Sequence, residues 1–167
     1  MKKILFVICL LAIFSLEAQT NDDLECTSIY LIRHAEKDRT DKRNSNPHLN
    51  TLGIERSLRW KSFFKYVKFD EFYSTNYYRT LETIKPIAED RAIQIYNPSS
   101  INYDEFILKN KGKTILVVGH SNTIPTFANM LLKHEVYQDI EDTNNSNLYV
   151  INVCDNSEIL NTLYFVK

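Results

Sequence analysis

Residues 113–121 read Lys-Thr-Ile-Leu-Val-Val-Gly-His-Ser, an apolar run that stops at a glycine and a histidine. Such a run, with no polar alternation, predicts a strand covered on both faces, as in parallel sheets. The Gly119-His120-Ser121 turn then leads into a helix over about residues 122–133, whose Pro125 falls in the first turn and so costs no hydrogen bond. The same strand, turn and helix order recurs upstream. Residues 27–33 (TSIYLIR) predict a strand, and the polar stretch 37–50, with Pro47, predicts a long loop. Asn50 or Thr51 caps a helix in which Ile54, Leu58, Trp60, Phe63, Phe64 and Val67 form a core face. Residues 71–74 predict a second strand. Thr75 or Asn76 then caps a helix with Leu81, Ile84 and Ala88 on one face, which Pro86 kinks or ends.

A third short strand is expected near residues 92–96, followed by a polar, partly helical stretch. Past the polar loop 141–146, residues 148–153 and 159–166 predict a hairpin turning at Asp155-Asn156-Ser157. The alternation specifies a three-layer α/β/α fold with a mostly parallel sheet and a C-terminal antiparallel hairpin. At 167 residues, with no internal repeat or linker, the chain is expected to form one such domain.

The net charge of −1, with no run of like charge, excludes a general electrostatic attraction to nucleic acid. Any anion site must be built locally. Lys2 and Lys3 precede an apolar stretch from Ile4 to Leu16, followed by Glu17-Ala18-Gln19. This is a signal-peptide layout, too short for the roughly 20 residues of a spanning helix. Residues 1–18 are therefore expected to be a signal peptide and 19–167 the domain, exported to the periplasm or secreted, with no stable membrane insertion after cleavage. Cys9 would leave with the signal, while Cys26 and Cys154 remain. Those two pair if their strands are neighbours, a point the sequence leaves open. With no CxxC or HExxH spacing, neither a redox motif nor a zinc site is expected.

Ligands of open α/β sheets bind beyond the carboxyl ends of the strands. Arg33 and His34 stand at the end of the first strand, Arg79 just past the second, and His120 directly after the buried run. Two guanidiniums and two imidazoles gathered on one rim repel each other when empty and call for a bound anion, of which phosphate best matches the arginine fork. Helix N-termini after Ser74 and Ser121 are expected to add backbone donors.

Leu31-Ile32-Arg33-His34-Ala35-Glu36 resembles the RHG/RHA signature of the histidine phosphatase (phosphoglycerate mutase-like) superfamily. Leu49-Asn50-Thr51-Leu52-Gly53 stands where that family begins a helix with L-T-x-x-G. Ser74-Thr75-Asn76-Tyr77-Tyr78-Arg79-Thr80 resembles its S-x-x-x-R-[AT] segment, and Val117-Val118-Gly119-His120-Ser121 its second-histidine motif. The resemblance spans about residues 28–128. It implies that His34 attacks phosphorus and becomes a phosphohistidine, while Arg33, Arg79 and His120 bind the transferring group. It also implies a small phosphorylated substrate and no metal or other cofactor, because the arginines supply the positive charge. Activity is expected to be insensitive to chelators.

Better-known members place an acidic residue between the second arginine and the second histidine. No such motif is visible here. Asp104, Glu105 and Glu36 are the candidate proton donors, and if none reaches the site the expected substrates carry good leaving groups, such as aryl or acyl phosphates or phosphoramidates. The alternatives to a phosphatase are a phosphoglycerate mutase-type phosphotransferase and a non-catalytic phosphate-binding module.

Overall fold

The computed structural model describes residues 25–155 and 159–167. The expected signal peptide, and Asn156 and Ser157 of the hairpin turn, lie outside those residues. Ten elements follow one another: β1 (Cys26–Arg33), α1 (Thr51–Phe63), β2 (Glu71–Ser74), α2 (Tyr78–Ala88), β3 (Ile93–Ile95), α3 (Tyr103–Lys109), β4 (Thr114–Gly119), α4 (Thr123–Leu132), β5 (Asn147–Cys154) and β6 (Leu160–Phe165). The strands form one sheet in the order β3-β2-β4-β1-β5-β6. The first four of these run parallel, and β5 and β6 complete the sheet as an antiparallel hairpin against β1. This is the mixed α/β fold with a mostly parallel sheet and a C-terminal antiparallel hairpin expected from the chain's alternation.

Side-chain alternation along the strands divides the core into two layers. Ile29, Leu31, Ile115, Val117, Tyr149 and Ile151 face Phe106 of α3 and Ile124, Phe127 and Leu131 of α4. Ile32, Phe72, Leu116, Val118 and Leu148 face Trp60, Phe64, Ile84 and Ala88 on the α1 and α2 side. The central strand β4 is buried on both faces, as its sequence requires.

Helix α1 departs from the expected packing. Asn50 does cap it, its side-chain oxygen accepting from Gly53 N at 2.9 Å. The buried stripe, however, is Gly53, Ser57 and Trp60, continuing to Phe64, while Ile54, Leu58 and Phe63 are exposed. The cause is a close approach: a Cβ on Gly53 would lie 2.1 Å from the Glu36 carbonyl oxygen. The helix rotates to set its glycine against the backbone that follows β1, and its apolar residues on the neighbouring face turn outward. Helix α2 starts at Tyr78, after Tyr77 rather than Thr75 or Asn76, and Pro86 sits inside it, with the helix ending two residues later.

Cys26 and Cys154 are register partners in the β1–β5 pair and form a disulfide. It ties the end of β1 remote from His34. Among the described residues, no helix is long and apolar enough to cross a membrane.

Candidate active site

Three parallel strands end at one place, and backbone hydrogen bonds hold those ends in line. His34 N donates to Gly119 O at 2.9 Å, and Thr75 N to Val118 O at 3.4 Å. The residues after β1, β2 and β4 therefore surround a cavity of about 430 Å³, and Arg33, His34, Arg79 and His120 all line it. Lys37, Thr75, Tyr77, Asn97, Ser121 and Asp142 line it as well. Gly119 makes the last turn possible, since a Cβ there would lie 2.8 Å from the Tyr96 hydroxyl and 2.9 Å from Thr123 Oγ1.

His34 is 3% exposed. Its Nδ1 lies 2.7 Å from the carbonyl oxygen of Ala35, which can only accept, so Nδ1 carries the proton and Nε2 keeps a free lone pair. Burial, opposed in part by that hydrogen bond and reinforced by the charge of Arg33, lowers its pKa to about 3. The imidazole is neutral near pH 7. Its segment is further held by Asn145 Nδ2 donating to His34 O at 2.7 Å and by Ala35 N donating to Thr83 Oγ1 at 2.9 Å.

His120 stands beside it, ring centroids 5.6 Å apart. Its Nε2 is 3.0 Å from Thr75 Oγ1, and its Nδ1 is 3.4 Å from Arg79 Nη2. Arginine only donates, so Nδ1 accepts and Nε2 bears the hydrogen. Burial and then Arg79 lower the His120 pKa to about 4, so this ring too is neutral.

The two arginines are held differently. Arg33 is 2% exposed, and its Nη1 donates to the carbonyl oxygens of Glu141, Asp142 and Asn144 at 2.8, 3.1 and 3.0 Å. Its Nη2 pairs with Asp142 Oδ1 at 2.9 Å. Arg79, in the first turn of α2, lies 4.4 Å above the Tyr77 ring, and its Nη1 donates to Ser45 O at 3.4 Å. The Nε atoms of both arginines are buried and have no partner among the described residues. The cavity lining, with Arg33, Lys37 and Arg79 against the single carboxylate of Asp142 and two neutral imidazoles, carries a net positive charge that suits an oxyanion. The first turn of α4 adds to this: Asn122 makes no side-chain cap, and it lines the cavity with Ser121 and Thr123. At α2 the corresponding Tyr78 N–H is already taken by Asn46 Oδ1 at 2.9 Å.

The sequence singled out Asp104, Glu105 and Glu36 as proton donors, and none lines the cavity. Asp104 borders a separate groove with Asn129 and Lys133, and it and Glu105 lie in the first turn of α3. Glu36 points away, bound by Arg56 Nη2 at 2.8 Å. Sequence reasoning missed Lys37, Thr75, Asn97, Asp142 and Asn145. Asp142 and Asn145 belong to the loop 141–146, which the antiparallel β5 brings to the carboxyl edge of β1, and no motif marks that placement. Lys37 had a signal, since in an extended segment it falls on the side opposite Glu36.

The fold and the convergent side chains define an α/β protein with two arginines and two histidines on one rim. Residues 29–101 match the model of the histidine phosphatase superfamily (branch 1). Phosphoserine phosphatase from Entamoeba histolytica, in complex with 3-phosphoglyceric acid, is 19% identical, with 84% of this chain and 97% of that one covered and a TM-score of 0.65. The protein histidine phosphatase SixA, complexed with tungstate, is 12% identical over 83% and 96% of the two chains, with a TM-score of 0.66. Phosphoglycerate mutase from Bacillus anthracis str. Sterne is 15% identical over 86% and 94%, with a TM-score of 0.64. No curated protein sequence matches the chain significantly.

Proposed function

We propose that the protein is a metal-independent phosphatase that hydrolyses small phosphate esters through a phosphohistidine on His34. The observation that carries this reading is the state of His34: a neutral ring whose proton is fixed on Nδ1 by the Ala35 carbonyl, with Nε2 free in a cavity lined by Arg33, Arg79 and Lys37. The Nε2 lone pair forms a bond to phosphorus as the ester P–O bond breaks, and the electron pair leaves on the ester oxygen. The Nδ1–H···O contact stabilises the positive charge that develops on the ring. Arg79 and the charge of Arg33 neutralise the equatorial oxygens, and His120 orients Arg79 through Nδ1. Water then attacks the phosphohistidine, the P–N bond breaks, and inorganic phosphate leaves.

Hydrolysis of p-nitrophenyl phosphate, unchanged by EDTA, abolished in His34→Ala and accompanied by a trapped His34 adduct in mass spectrometry, is the expected result. Phosphate binding without turnover would sink the proposal in favour of a binding module, and transfer to an acceptor alcohol in preference to water would favour a mutase. Export to an oxidising compartment is part of the same proposal, supported by the signal-like layout of residues 1–18 and by the Cys26–Cys154 disulfide. Recovery of the native protein from the cytosol with residues 1–18 intact would count against it.

A further inference from the structure

Among the described residues, the active-site cavity has no carboxylic acid able to give up a proton. Its one lining carboxylate, Asp142, is hydrogen-bonded by Arg39 and Arg33, which hold its pKa at about 2, so it stays ionised. An alkoxide expelled from a phosphate ester still needs a proton, because it is far more basic than water at neutral pH.

Lys37 is placed to supply one. It follows His34 by three residues on a segment whose backbone is pinned: Lys37 and Leu49 form an antiparallel bridge, Asp38 N donates to His48 O at 2.8 Å, and Asn50 N to Glu36 O at 3.0 Å. Alternation in this extended stretch sends Glu36 back to Arg56 and Asp38 out to cap Thr40 N, and leaves Lys37 facing the cavity. The ammonium makes no hydrogen bond or ion pair among the described residues. Burial, followed by the charges of Arg79 and Arg39, lowers its pKa from the ordinary lysine value, which makes it a better donor.

We infer that Lys37 is the general acid of this site and protonates the leaving oxygen in place of a carboxylic acid. The proposal rests on the phosphatase reading above. In the first step the bond from His34 Nε2 to phosphorus forms, the P–O bond breaks, and a proton passes from the Lys37 ammonium to the departing oxygen, giving an alcohol and a neutral amine. In the second, that amine takes a proton from the attacking water as the P–N bond breaks. Phosphate is released and the ammonium restored.

The test is the dependence of kcat on the leaving group, with p-nitrophenyl phosphate as the good one and phenethyl phosphate as the poor one. General acids contribute roughly 10²–10⁴-fold. Lys37→Met and Lys37→Gln are therefore expected to lose at least about 100-fold on the alkyl ester and less than about tenfold on the aryl ester. Lys37→Arg keeps the charge but cannot release a proton, so it should show the same selective loss. Equal losses on both esters, recovery of alkyl-ester activity by Lys37→Arg, or the selective loss appearing in Tyr77→Phe instead would each overturn the assignment. Wild-type protein inactive on both esters would overturn the phosphatase reading along with it, whereas turnover with equal losses overturns this proposal alone.

Discussion

Arg33 and Arg79 flank the same cavity, yet one is a strut and the other a lightly held clamp. Arg33 is the last residue of β1 and spends its Nη groups on the loop 141–146. Arg79 stands in the first turn of a helix, is half-buried, and among the described residues its guanidinium meets the Tyr77 ring, His120 and one loop carbonyl. The same residue type thus does different work on the two sides of the site. Phosphoryl transfer needs a fixed frame and a group that follows the phosphorus through its change of shape, and under the proposed function these two tasks fall to separate arginines.

The largest effect should come from breaking the strut. Arg33→Met strands three carbonyls of the 141–146 loop, and unpaired buried polar groups cost about 1–3 kcal/mol each, reduced where the loop can reach water. A loss of about 2–4 kcal/mol is expected. Denaturant unfolding should show it, along with nearly complete loss of turnover. Arg79→Ala should separate the two properties: kcat falls about 10²–10³-fold while the unfolding midpoint barely moves. Equal destabilisation by both substitutions would erase the distinction between strut and clamp.

A third experiment contrasts the two ends of β1. The disulfide lies at the end remote from His34 and closes a sequence separation of 128 residues. The Cys26→Ser, Cys154→Ser double variant should lose about 2–4 kcal/mol of stability, mainly through the freer unfolded chain, with kcat essentially unchanged. A fall in kcat would mean that strain at the remote end reaches the nucleophile.

A fourth experiment concerns pH. His34 and His120 have folded-state pKa values of about 3 and about 4, below the ordinary 6.5. Between those limits the unfolded chain binds protons that the folded one refuses, so stability rises with pH through that window and levels off above about 6.5. Acidification from pH 6.5 towards 4 should lower the melting temperature, and His34→Gln or His120→Gln should flatten the slope. An unchanged slope in both variants would show that other groups set the acid sensitivity.

Much of this architecture is readable from local pattern. The bare apolar run before Gly119, the Asn50 cap and the short strand at 71–74 each announce themselves within a few residues, because burial and capping are local demands on side-chain type. The orientation of α1 was not readable: its apolar residues point to one face and its glycine to another, and only contact with the Glu36 carbonyl decides between them. Pairing of Cys26 with Cys154 likewise depends on β1 and β5 being neighbours.

The residue chain alone determined the strand and helix order and that Arg33, His34, Arg79 and His120 would share a rim, since each follows or ends a parallel strand. Tertiary structure alone decided what each of them touches. The loop 141–146 reaches Arg33 from more than a hundred positions away, Glu36 is turned from the cavity while Lys37 faces it, and no acid from α3 arrives. The physical reason is range: propensity and periodicity act over a few residues, whereas the hydrogen bonds and burial that set charge, tautomer and direction join segments that meet only when the sheet has formed.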